Sequence, residues 1–339
     1  MKKLGKGIAF MIYPIGGTSN PNAAAVFIKV NVDGSAVLYT GATDIGQGSD
    51  TVLLQIAAEE LGIEFEKITI VSSDTKMTPF DSGPGASRIT YITGNAVKNA
   101  ATQAKQILLE AAAEELKVSC TGLVARGGYI YLEDFPEKKI SIGAAASKAQ
   151  KDGGRPPIAS ASFNPATTVL DKETGHGKPY GAYVFAVQIA EVEVDTETGA
   201  VEILKITAVH DCGKAINPLL TEGQVEGGVS MGVGYGVMEE MVVDHGRVKN
   251  AQFTDYVLPT ALDIPTIVTK LVERPEPGGP FGAKGIGEPA LLPTAPAIVN
   301  AIQDAVGVRI RDLPATPEKI LKALEEKRLK EESLELAAK

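Results

Sequence analysis

The stretch Ala24-Ala25-Val26-Phe27-Ile28-Lys29-Val30-Asn31-Val32-Asp33-Gly34-Ser35-Ala36-Val37-Leu38-Tyr39 decides the fold class of this chain. It contains two runs rich in β-branched and apolar residues, 26–32 and 36–39, which are joined at Asp33-Gly34. An Asp-Gly pair tolerates the positive φ that a tight hairpin turn requires. The sequence therefore predicts an antiparallel hairpin near the start of the chain.

A glycine-rich segment and then a helix follow this hairpin. After residues 41–48 the apolar side chains fall on one helical face, with Ser49 as the expected N-cap and Gly62 just beyond the end. Serine is a preferred N-cap, and glycine suits the left-handed residue that ends a helix. The pattern predicts a strand–strand–helix unit.

The same order recurs in the second half of the chain. Two apolar runs, 184–194 and 201–209, flank a turn and lead into a second Gly-Gln segment. Asn217 and Pro218 are suited to the N-cap and first turn of the helix expected there. Two hairpins that each feed a Gly-Gln segment indicate a pseudo-repeat.

Two lobes are expected from the length of the chain. It has 339 residues with 44% hydrophobic content, which is ample for two packed cores. Between residues 145 and 178 the Pro, Gly, Ser and Lys content rises and periodicity fades, which is typical of a lobe boundary. We therefore predict a first lobe over 1–160 and a second over 161–339, the latter ending in a C-terminal helix.

Composition excludes several classes of function. The net charge of −9 and the absence of a basic stripe argue against nucleic-acid binding. No apolar run reaches the roughly 18 residues of a membrane span, and the N-terminal stretch is too short and glycine-broken for a signal peptide. We expect no membrane contact and a cytoplasmic location.

Metal ligation by side chains is not expected either. Cys120 and Cys212 are the only cysteines, too few for the four thiolates of an iron–sulfur cluster or a zinc site. The three histidines lack the i, i+4 spacing of a helical metal pair. Any redox metal would have to be held by a cofactor or by another chain.

One carboxylate stands in a loop with little side-chain bulk. The loop is Gly282-Ala283-Lys284-Gly285-Ile286-Gly287-Glu288-Pro289. Glycine allows the backbone to approach a ligand closely, and Pro289 stiffens the chain directly after Glu288. These features favour Glu288 as a general base beside a bound cofactor, whereas most loop glutamates are simply solvated.

Three further segments combine small residues with a possible ligand contact, and each has an ordinary structural alternative. Gly-Gln-Gly before the first helix offers free backbone N–H groups to an anion, or it is a tight strand–helix turn. Residues 81–88 resemble a phosphate cradle, or a surface turn with a capping serine. The glycines near Gln224 fit a flat cofactor, or a tight helix crossing. The candidate residues are Gly46, Gln47, Gly48, Ser82, Gly83, Gly85, Ala86, Ser87, Arg88 and Gln224.

These segments, in this order, resemble the molybdenum hydroxylase family of xanthine dehydrogenase and aldehyde oxidase. The motifs that carry the resemblance are Thr43-Asp44-Ile45-Gly46-Gln47-Gly48, His210-Asp211-Cys212-Gly213-Lys214-Ala215-Ile216-Asn217-Pro218, Glu222-Gly223-Gln224-Val225-Glu226-Gly227-Gly228 and Gly279-Pro280-Phe281-Gly282-Ala283-Lys284-Gly285-Ile286-Gly287-Glu288-Pro289-Ala290. The match implies the C-terminal half of the molybdopterin-binding region, an α+β fold of two lobes with mixed sheets and packed helices.

The resemblance also implies roles for the candidate residues. Glu288 would be a buried general base that takes the proton during hydroxylation by water, while hydride passes to the Mo centre. Gln47 and Gln224 would flank the metal's ligands, and Gly85, Ala86, Ser87 and Arg88 would line the pocket. Lys284 and Gly287 would hold the loop against the cofactor, and Tyr13 is the candidate for touching the substrate, with packing as its alternative.

This sequence is less than half as long as the family's usual large subunit and lacks its upstream glycine-rich cofactor loop. The start at Met1 leads us to expect a natural split, similar to anaerobic bacterial nicotinate hydroxylases with divided subunits. The resemblance then implies molybdopterin cytosine dinucleotide shared with a large molybdopterin subunit, and FAD and [2Fe-2S] clusters on further subunits. Nicotinate is the expected substrate; a purine such as xanthine, or a non-catalytic scaffold role, are the alternatives.

Overall fold

The computed structural model describes residues 1–17 and 22–337. The strands are β1 (Lys2–Pro14), β2 (Ala24–Val30), β3 (Ala36–Thr40), β4 (Ile68–Ser72), β5 (Leu123–Arg126), β6 (Tyr129–Leu132), β7 (Phe135–Ser141), β8 (Ile158–Phe163), β9 (Tyr183–Asp195), β10 (Val201–Asp211), β11 (Val243–Asp244), β12 (Arg247–Val248) and β13 (Thr266–Val272). The α-helices are α1 (Ser49–Leu61), α2 (Gly94–Leu116), α3 (Ile142–Lys151), α4 (Pro218–Val237), α5 (Thr294–Val306) and α6 (Pro317–Ala337).

Two four-stranded sheets repeat one topology, as the pseudo-repeat predicts. In the first sheet, of order β8-β2-β3-β4, the hairpin β2–β3 is followed by α1 and then by β4, which runs parallel to β3. In the second, of order β1-β9-β10-β13, the hairpin β9–β10 is followed by α4 and then by β13, parallel to β10. An antiparallel strand closes the other edge of each sheet.

Helix boundaries follow the cap residues that the sequence offers. The Asn217 side chain accepts a hydrogen bond from the backbone N–H of Leu220 and so caps α4, as predicted. Gly62 and Gly307 end α1 and α5 in the left-handed conformation. Ser49 is not the N-cap of α1 but its first residue, because Gly48 takes the cap position with φ 79°.

Each sheet packs one face against helices, and this arrangement gives two cores. The first core joins β2, β3, α1 and α2, and the second joins β9, β10, α4 and α5. The mixed sheets and packed helices confirm the expected α+β class. The first strand of the chain lies in the second sheet, whereas β8 lies in the first.

Several elements, among them β1, α3 and β8, have no counterpart in the sequence-based expectations. The N-terminal strand β1 forms although Gly5 and Gly7 interrupt its apolar pattern, because both glycines lie against the backbone of α5. The segment expected to lack periodicity contains the end of α3 and the strand β8. No helix in residues 1–17 or 22–337 is long and apolar enough to cross a membrane.

Candidate active site

All four glycine-rich segments meet at one cleft between the two sheets' helices. The cleft has a volume of about 530 Å³. Its walls come from the loop before α1, the loop before α2, the middle of α4 and the Glu288 loop. The lining residues are Ile45, Gln47, Ser49, Val52, Pro84, Ser87, Ile89, Thr90, Gln224, Gly227, Gly228, Met231, Gly285, Ile286, Gly287, Glu288 and Leu291. The fold therefore brings together segments more than 200 residues apart in the chain.

Glu288 is held at one carboxylate oxygen and free at the other. Its Oε2 accepts hydrogen bonds from Ser87 Oγ, at 3.0 Å, and from the Tyr13 hydroxyl. Its backbone N–H donates to the same Ser87 Oγ at 3.0 Å. Oε1 has no hydrogen-bond partner in the part of the chain that the structure describes. The arrangement fixes the carboxylate while leaving one oxygen available to a ligand.

The expectation that Glu288 is buried is wrong for this chain by itself. The side chain is exposed where it lines the cleft. Tyr13, which lies near the end of β1, is half-buried, and burial together with the Glu288 carboxylate raises its pKa. A tyrosine with a raised pKa stays protonated and can donate to Glu288 throughout the neutral range.

Ser87 is placed by an unusual backbone conformation. Ala86 and Ser87 both have positive φ, 53° and 49°, which costs non-glycine residues about 1–3 kcal/mol each. The Gly16 N–H donates to the Ala86 carbonyl at 2.9 Å, and Gly285 lies directly against the Ser87 carbonyl. These contacts stabilise the strained turn. The turn places the Ser87 hydroxyl within hydrogen-bond distance of Glu288.

Lys284 anchors the Glu288 loop from below. Its buried ammonium donates to Asp211 Oδ2 at 2.6 Å and to the Tyr183 carbonyl at 3.0 Å. Asp211 ends β10, and Tyr183 begins β9, so the lysine fastens the loop to the second sheet. Lys284 does not line the cleft, which agrees with a role in holding the loop.

Arg88 is turned away from the cleft. Its buried guanidinium pairs with Asp81 and donates to the carbonyls of Gly83, at 3.1 Å, and Ala23, at 3.0 Å. Asp81 also accepts from Thr93 Oγ1 at 2.8 Å. The remaining donors go to the side chain and carbonyl of Asn22, so all are engaged by residues 22–23 and by the loop 81–88. Arg88 therefore stabilises the shape of the turn, and it has no free donor for the predicted charge contact with a ligand.

Gln47 and Gln224 differ in whether their side-chain amides are already hydrogen-bonded within the chain. Gln47 Nε2 donates to the Thr43 carbonyl and to Ser49 Oγ, both at 3.0 Å, while its Oε1 accepts from the Ile45 N–H at 2.6 Å. Gln47 therefore closes its own loop. The Gln224 side chain lines the cleft and makes no hydrogen bond to another described residue. It remains available to a ligand.

Of the remaining predicted residues, Gly46, Gly48, Ser82 and Gly83 lie in the turns around the cleft, whereas Gly287 lies in its wall. Gly46, Gly48 and Gly83 have positive φ, so their conformations require glycine locally. The Ser82 hydroxyl donates to the Ala23 carbonyl at 3.4 Å. Gly287 borders the cleft next to Gln224.

Three glycines have no structural reason to be glycine within this chain. Gly85, Gly223 and Gly227 have neither positive φ nor any atom within 4 Å of a built Cβ, unlike the other glycines whose surroundings are described. In α4 this costs about 1 kcal/mol per glycine relative to alanine. Gly227 lines the cleft, and Gly85 and Gly223 are the chain neighbours of the lining residues Pro84 and Gln224. Their open faces fit a flat group or a second backbone. Two other glycines of α4, Gly228 and Gly232, pack tightly on Ala290 and Thr294, so the helix-crossing alternative explains those two.

A buried polar network beneath Glu288 was not anticipated from sequence. Gln188 Nε2 donates to the Ala290 carbonyl at 2.7 Å and lies 3.3 Å from His210 Nε2, while its Oε1 accepts from Thr294 Oγ1 at 2.7 Å. All three side chains are fully buried. Gln188 is the one polar residue among the inward positions of β9, which are otherwise apolar, and this is the signal that could have revealed it.

His210 should make the protein less stable below neutral pH. Burial lowers its pKa from the model-compound value of 6.5 to about 4. In the unfolded chain His210 therefore becomes protonated as the pH falls below about 6.5, whereas in the folded chain it becomes protonated only near pH 4. The corresponding loss of unfolding free energy begins as pH falls below 6.5, and amounts to roughly 3 kcal/mol near pH 4. In His210→Gln we expect this part of the pH dependence to vanish when urea unfolding is measured from pH 7 to 4.

His176→Gln is the matched control for this measurement, since His176 is exposed. Its stability curve should run parallel to that of the wild type. A His210→Gln curve that also runs parallel would contradict the inferred neutral state of His210.

The comparisons with known proteins identify the class. The family model described as the molybdopterin cofactor-binding domain matches residues 1–265, and the chain belongs to this family. The resemblance inferred from its motifs is thereby confirmed.

Three known proteins show how far the similarity extends along the chain. The xanthine dehydrogenase molybdenum-binding subunit of Escherichia coli O157:H7 is 36% identical over 93% of this chain and 41% of its own length. The nicotine 6-hydroxylase large subunit of Paenarthrobacter nicotinovorans is 32% identical over 95% of this chain and 40% of its own length. The crystal structure of quinoline 2-oxidoreductase from Pseudomonas putida 86 matches with a TM-score of 0.85 and 29% identity, over 96% of this chain and 42% of that one. The chain thus spans about two fifths of the length of each of these three proteins.

Proposed function

We propose that this chain is the molybdopterin-binding catalytic subunit of a multi-subunit molybdenum hydroxylase that is active only with its partners. The observation that carries the proposal is the convergence of Glu288, the Gln224 amide and the unexplained Gly227 on one cleft. Open glycine faces leave room for a flat cofactor, and the fixed carboxylate stands at its edge. A purely scaffolding chain would have no need for a carboxylate with one oxygen held free.

The reaction proposed is R–H + H₂O → R–OH + 2 e⁻ + 2 H⁺. When bound, the cofactor supplies a two-electron acceptor and a metal that makes water more acidic. The chain's own contribution is Glu288 Oε1, which takes one proton while Ser87 and Tyr13 hold Oε2 in place. Gln224 offers a free amide to the cofactor or its ligands, and Lys284 keeps the loop on the second sheet.

An aromatic N-heterocycle fits the lining of the cleft. Apart from Glu288, the wall is uncharged, with apolar contributions from Ile45, Ile89, Met231 and Leu291. We propose nicotinate as substrate, in an enzyme of the nicotinate dehydrogenase type. No cation lines the cleft among the described residues, so the nicotinate carboxylate would be received by neutral donors such as Gln224 or by the partner.

A purine such as xanthine is the second candidate. It is favoured by the relative from Escherichia coli, whose name describes a xanthine dehydrogenase subunit. A purine carries no carboxylate, so it does not need a cation in the cleft wall to neutralise it.

The complete enzyme requires more than this chain. We propose that a large molybdopterin subunit shares the cofactor, molybdopterin cytosine dinucleotide, and that separate subunits carry FAD and [2Fe-2S] clusters. This agrees with a chain that spans about two fifths of its relatives. We further propose that the complex works in the cytoplasm.

The test is an analysis of the complex purified through this chain. We expect about one molybdenum per copy of this chain, release of a pterin carrying cytidine, and water-dependent turnover of nicotinate in preference to xanthine. A preference for xanthine would favour a purine over nicotinate as the substrate. A complex without molybdenum or pterin would overturn the proposed function.

A further inference from the structure

The inward face of β9 carries one polar side chain, Gln188, among apolar neighbours. The other inward positions of the strand are apolar and buried: Val184, Ala186, Ala190, Val192 and Val194. Burying a side-chain amide is unfavourable unless its donors and its acceptor are hydrogen-bonded. An apolar side chain would serve the core better, so packing by itself does not explain the amide of Gln188.

The orientation of this amide follows from the Ala290 carbonyl. A carbonyl oxygen only accepts, so the Gln188 nitrogen faces it at 2.7 Å, and the amide oxygen accepts from Thr294 Oγ1, also at 2.7 Å. The second N–H is then available to His210 Nε2, which lies 3.3 Å away and accepts it in the neutral imidazole with its proton on Nδ1. Burial, which lowers the pKa of His210 to about 4, favours the same neutral state. Thr294 and His210 thus hold the amide in one orientation.

The Ala290 carbonyl belongs to the short turn that begins with Glu288. Residues Glu288–Ala290 form a single 3₁₀ turn, in which the Leu291 N–H donates to the Glu288 carbonyl at 3.2 Å. Ser87 Oγ accepts from the backbone N–H of the first residue, and Gln188 donates to the carbonyl of the last. A turn this short has few hydrogen bonds of its own, so its position depends on these outside contacts.

The second sheet holds the loop on both sides of Glu288. Lys284, four residues before Glu288, is bonded to the ends of β9 and β10 that lie next to the loop. Gln188, on β9, holds the residue two positions after Glu288. Between the two anchors lie Gly285 and Gly287, whose backbones have more conformational freedom than those of other residues. The second anchor therefore limits how far the carboxylate can move.

Tyr13 projects from the same face of the sheet as Gln188. It stands opposite the inward-facing Val184 of β9, and residues opposite one another in a sheet point to the same side. The inner face thus contacts the Glu288 carboxylate through the Tyr13 hydroxyl and the Glu288 turn through the Gln188 amide. A turn released by Gln188 would also move the carboxylate relative to Tyr13.

We propose that Gln188 is a positioning residue of the candidate active site, which sets the place of the Glu288 carboxylate through the Ala290 carbonyl. The inference rests on the proposed function for the catalytic importance of that place. Gln188 is fully buried and does not line the cleft. It therefore acts on the reaction only through the turn.

The first test compares Gln188→Met with Val194→Ala in the complex purified through this chain. Methionine fills a similar space without the donors. Val194 lies on the same inward face of β9, six residues and so about 20 Å away. We expect Gln188→Met to lower turnover per bound molybdenum by roughly 10-fold to 100-fold with KM within about twofold, since displacement of a catalytic group by about 1 Å has an effect of this size. Val194→Ala removes only core packing and should keep turnover within about twofold.

A double-mutant cycle shows whether Gln188 acts through Glu288. In the Glu288→Gln background, Gln188→Met should lower turnover by no more than about threefold, because the carboxylate that it places is already absent. Thr294→Val is the milder variant if Gln188→Met does not assemble. It removes only the hydrogen bond to the amide oxygen, so we expect the same changes at smaller size.

Hydrogen exchange gives a readout that does not depend on turnover. The backbone amides of Glu288, Ala290 and Leu291 should exchange at least about tenfold faster in Gln188→Met, and at the wild-type rate in Val194→Ala. Unchanged exchange in Gln188→Met would overturn the inference in every case.

The kinetic results separate this inference from the proposed function. Where Glu288→Gln does lower turnover, wild-type turnover in Gln188→Met, or losses that multiply in the double variant, would overturn the role of Gln188. If Glu288→Gln keeps wild-type turnover, the proposed function fails by itself. The exchange rates alone then decide whether Gln188 sets the position of the turn.

Discussion

Glu288→Gln is expected to lower the turnover number of the assembled enzyme by roughly 100-fold to 10,000-fold, the usual contribution of a general base. Glutamine has nearly the same shape, and its amide oxygen still accepts hydrogen bonds from Ser87 and Tyr13. It has no oxygen that can take a proton, so the loss falls on the chemical step. Steady-state kinetics together with molybdenum and pterin content measure the effect.

Two results would change the assignment of Glu288. Turnover within about twofold of the wild type, with cofactor bound, would remove the general-base role and favour a scaffold. Loss of molybdenum and pterin would instead make Glu288 a residue that retains the cofactor. Tyr13→Phe is the matched control: it keeps the carboxylate and removes one hydrogen bond to Oε2, so we expect a much smaller loss of turnover.

The local patterns of this sequence were sufficient to predict the two hairpins and several helix ends. Asp33-Gly34 between two apolar runs and Asn217 before Pro218 carry their signals within a few residues, and the structure contains both features. Strand β1 has no such signal, because its glycines are explained only by the helix α5, almost 300 residues away. Its place in the second sheet is a consequence of that long-range contact.

The candidate active site shows the same difference between features with a local sequence signal and features that depend on long-range contacts. The motifs that place Gln47, Ser87, Gln224, Gly287 and Glu288 around one cleft could be found in the sequence. The direction of a side chain could not, because it depends on tertiary partners.

Arg88 and Gln188 are the clearest examples. An arginine next to a turn that resembles a phosphate cradle gives no indication that Asp81, Asn22 and two further backbone carbonyls will occupy its donors. Likewise, the role of Gln188 emerges only when β9 is laid against Ala290 and Thr294. Polar contacts between distant elements are therefore the part of the site that could not be predicted from the sequence.

Gly285→Ala is expected to dislodge the Glu288 loop. The φ of Gly285 lies outside the left-handed region, so the requirement for glycine is steric: a Cβ would overlap the Ser87 carbonyl oxygen. Since that atom belongs to the backbone of a strained turn, the loop must move instead. We expect the free energy of unfolding to fall by about 1–3 kcal/mol, as for other overpacked sites. Turnover should fall roughly 100-fold, because displacement of a catalytic group by about 1 Å has this effect.

Gly287→Ala is the control that separates crowding of the turn from contact with a ligand. Its Cβ would lie 3.5 Å from Ser87 Oγ and 3.9 Å from Gln224 Oε1, which are ordinary contacts, so the free energy of unfolding should not decrease. If Gly285→Ala is as stable and active as the wild type, the Ser87 turn does not position Glu288. If Gly287→Ala loses turnover at unchanged stability, the cause lies in the cleft itself, where a new methyl group meets the cofactor. The pair thus distinguishes a glycine required by the protein's own backbone from one required by what the cleft binds.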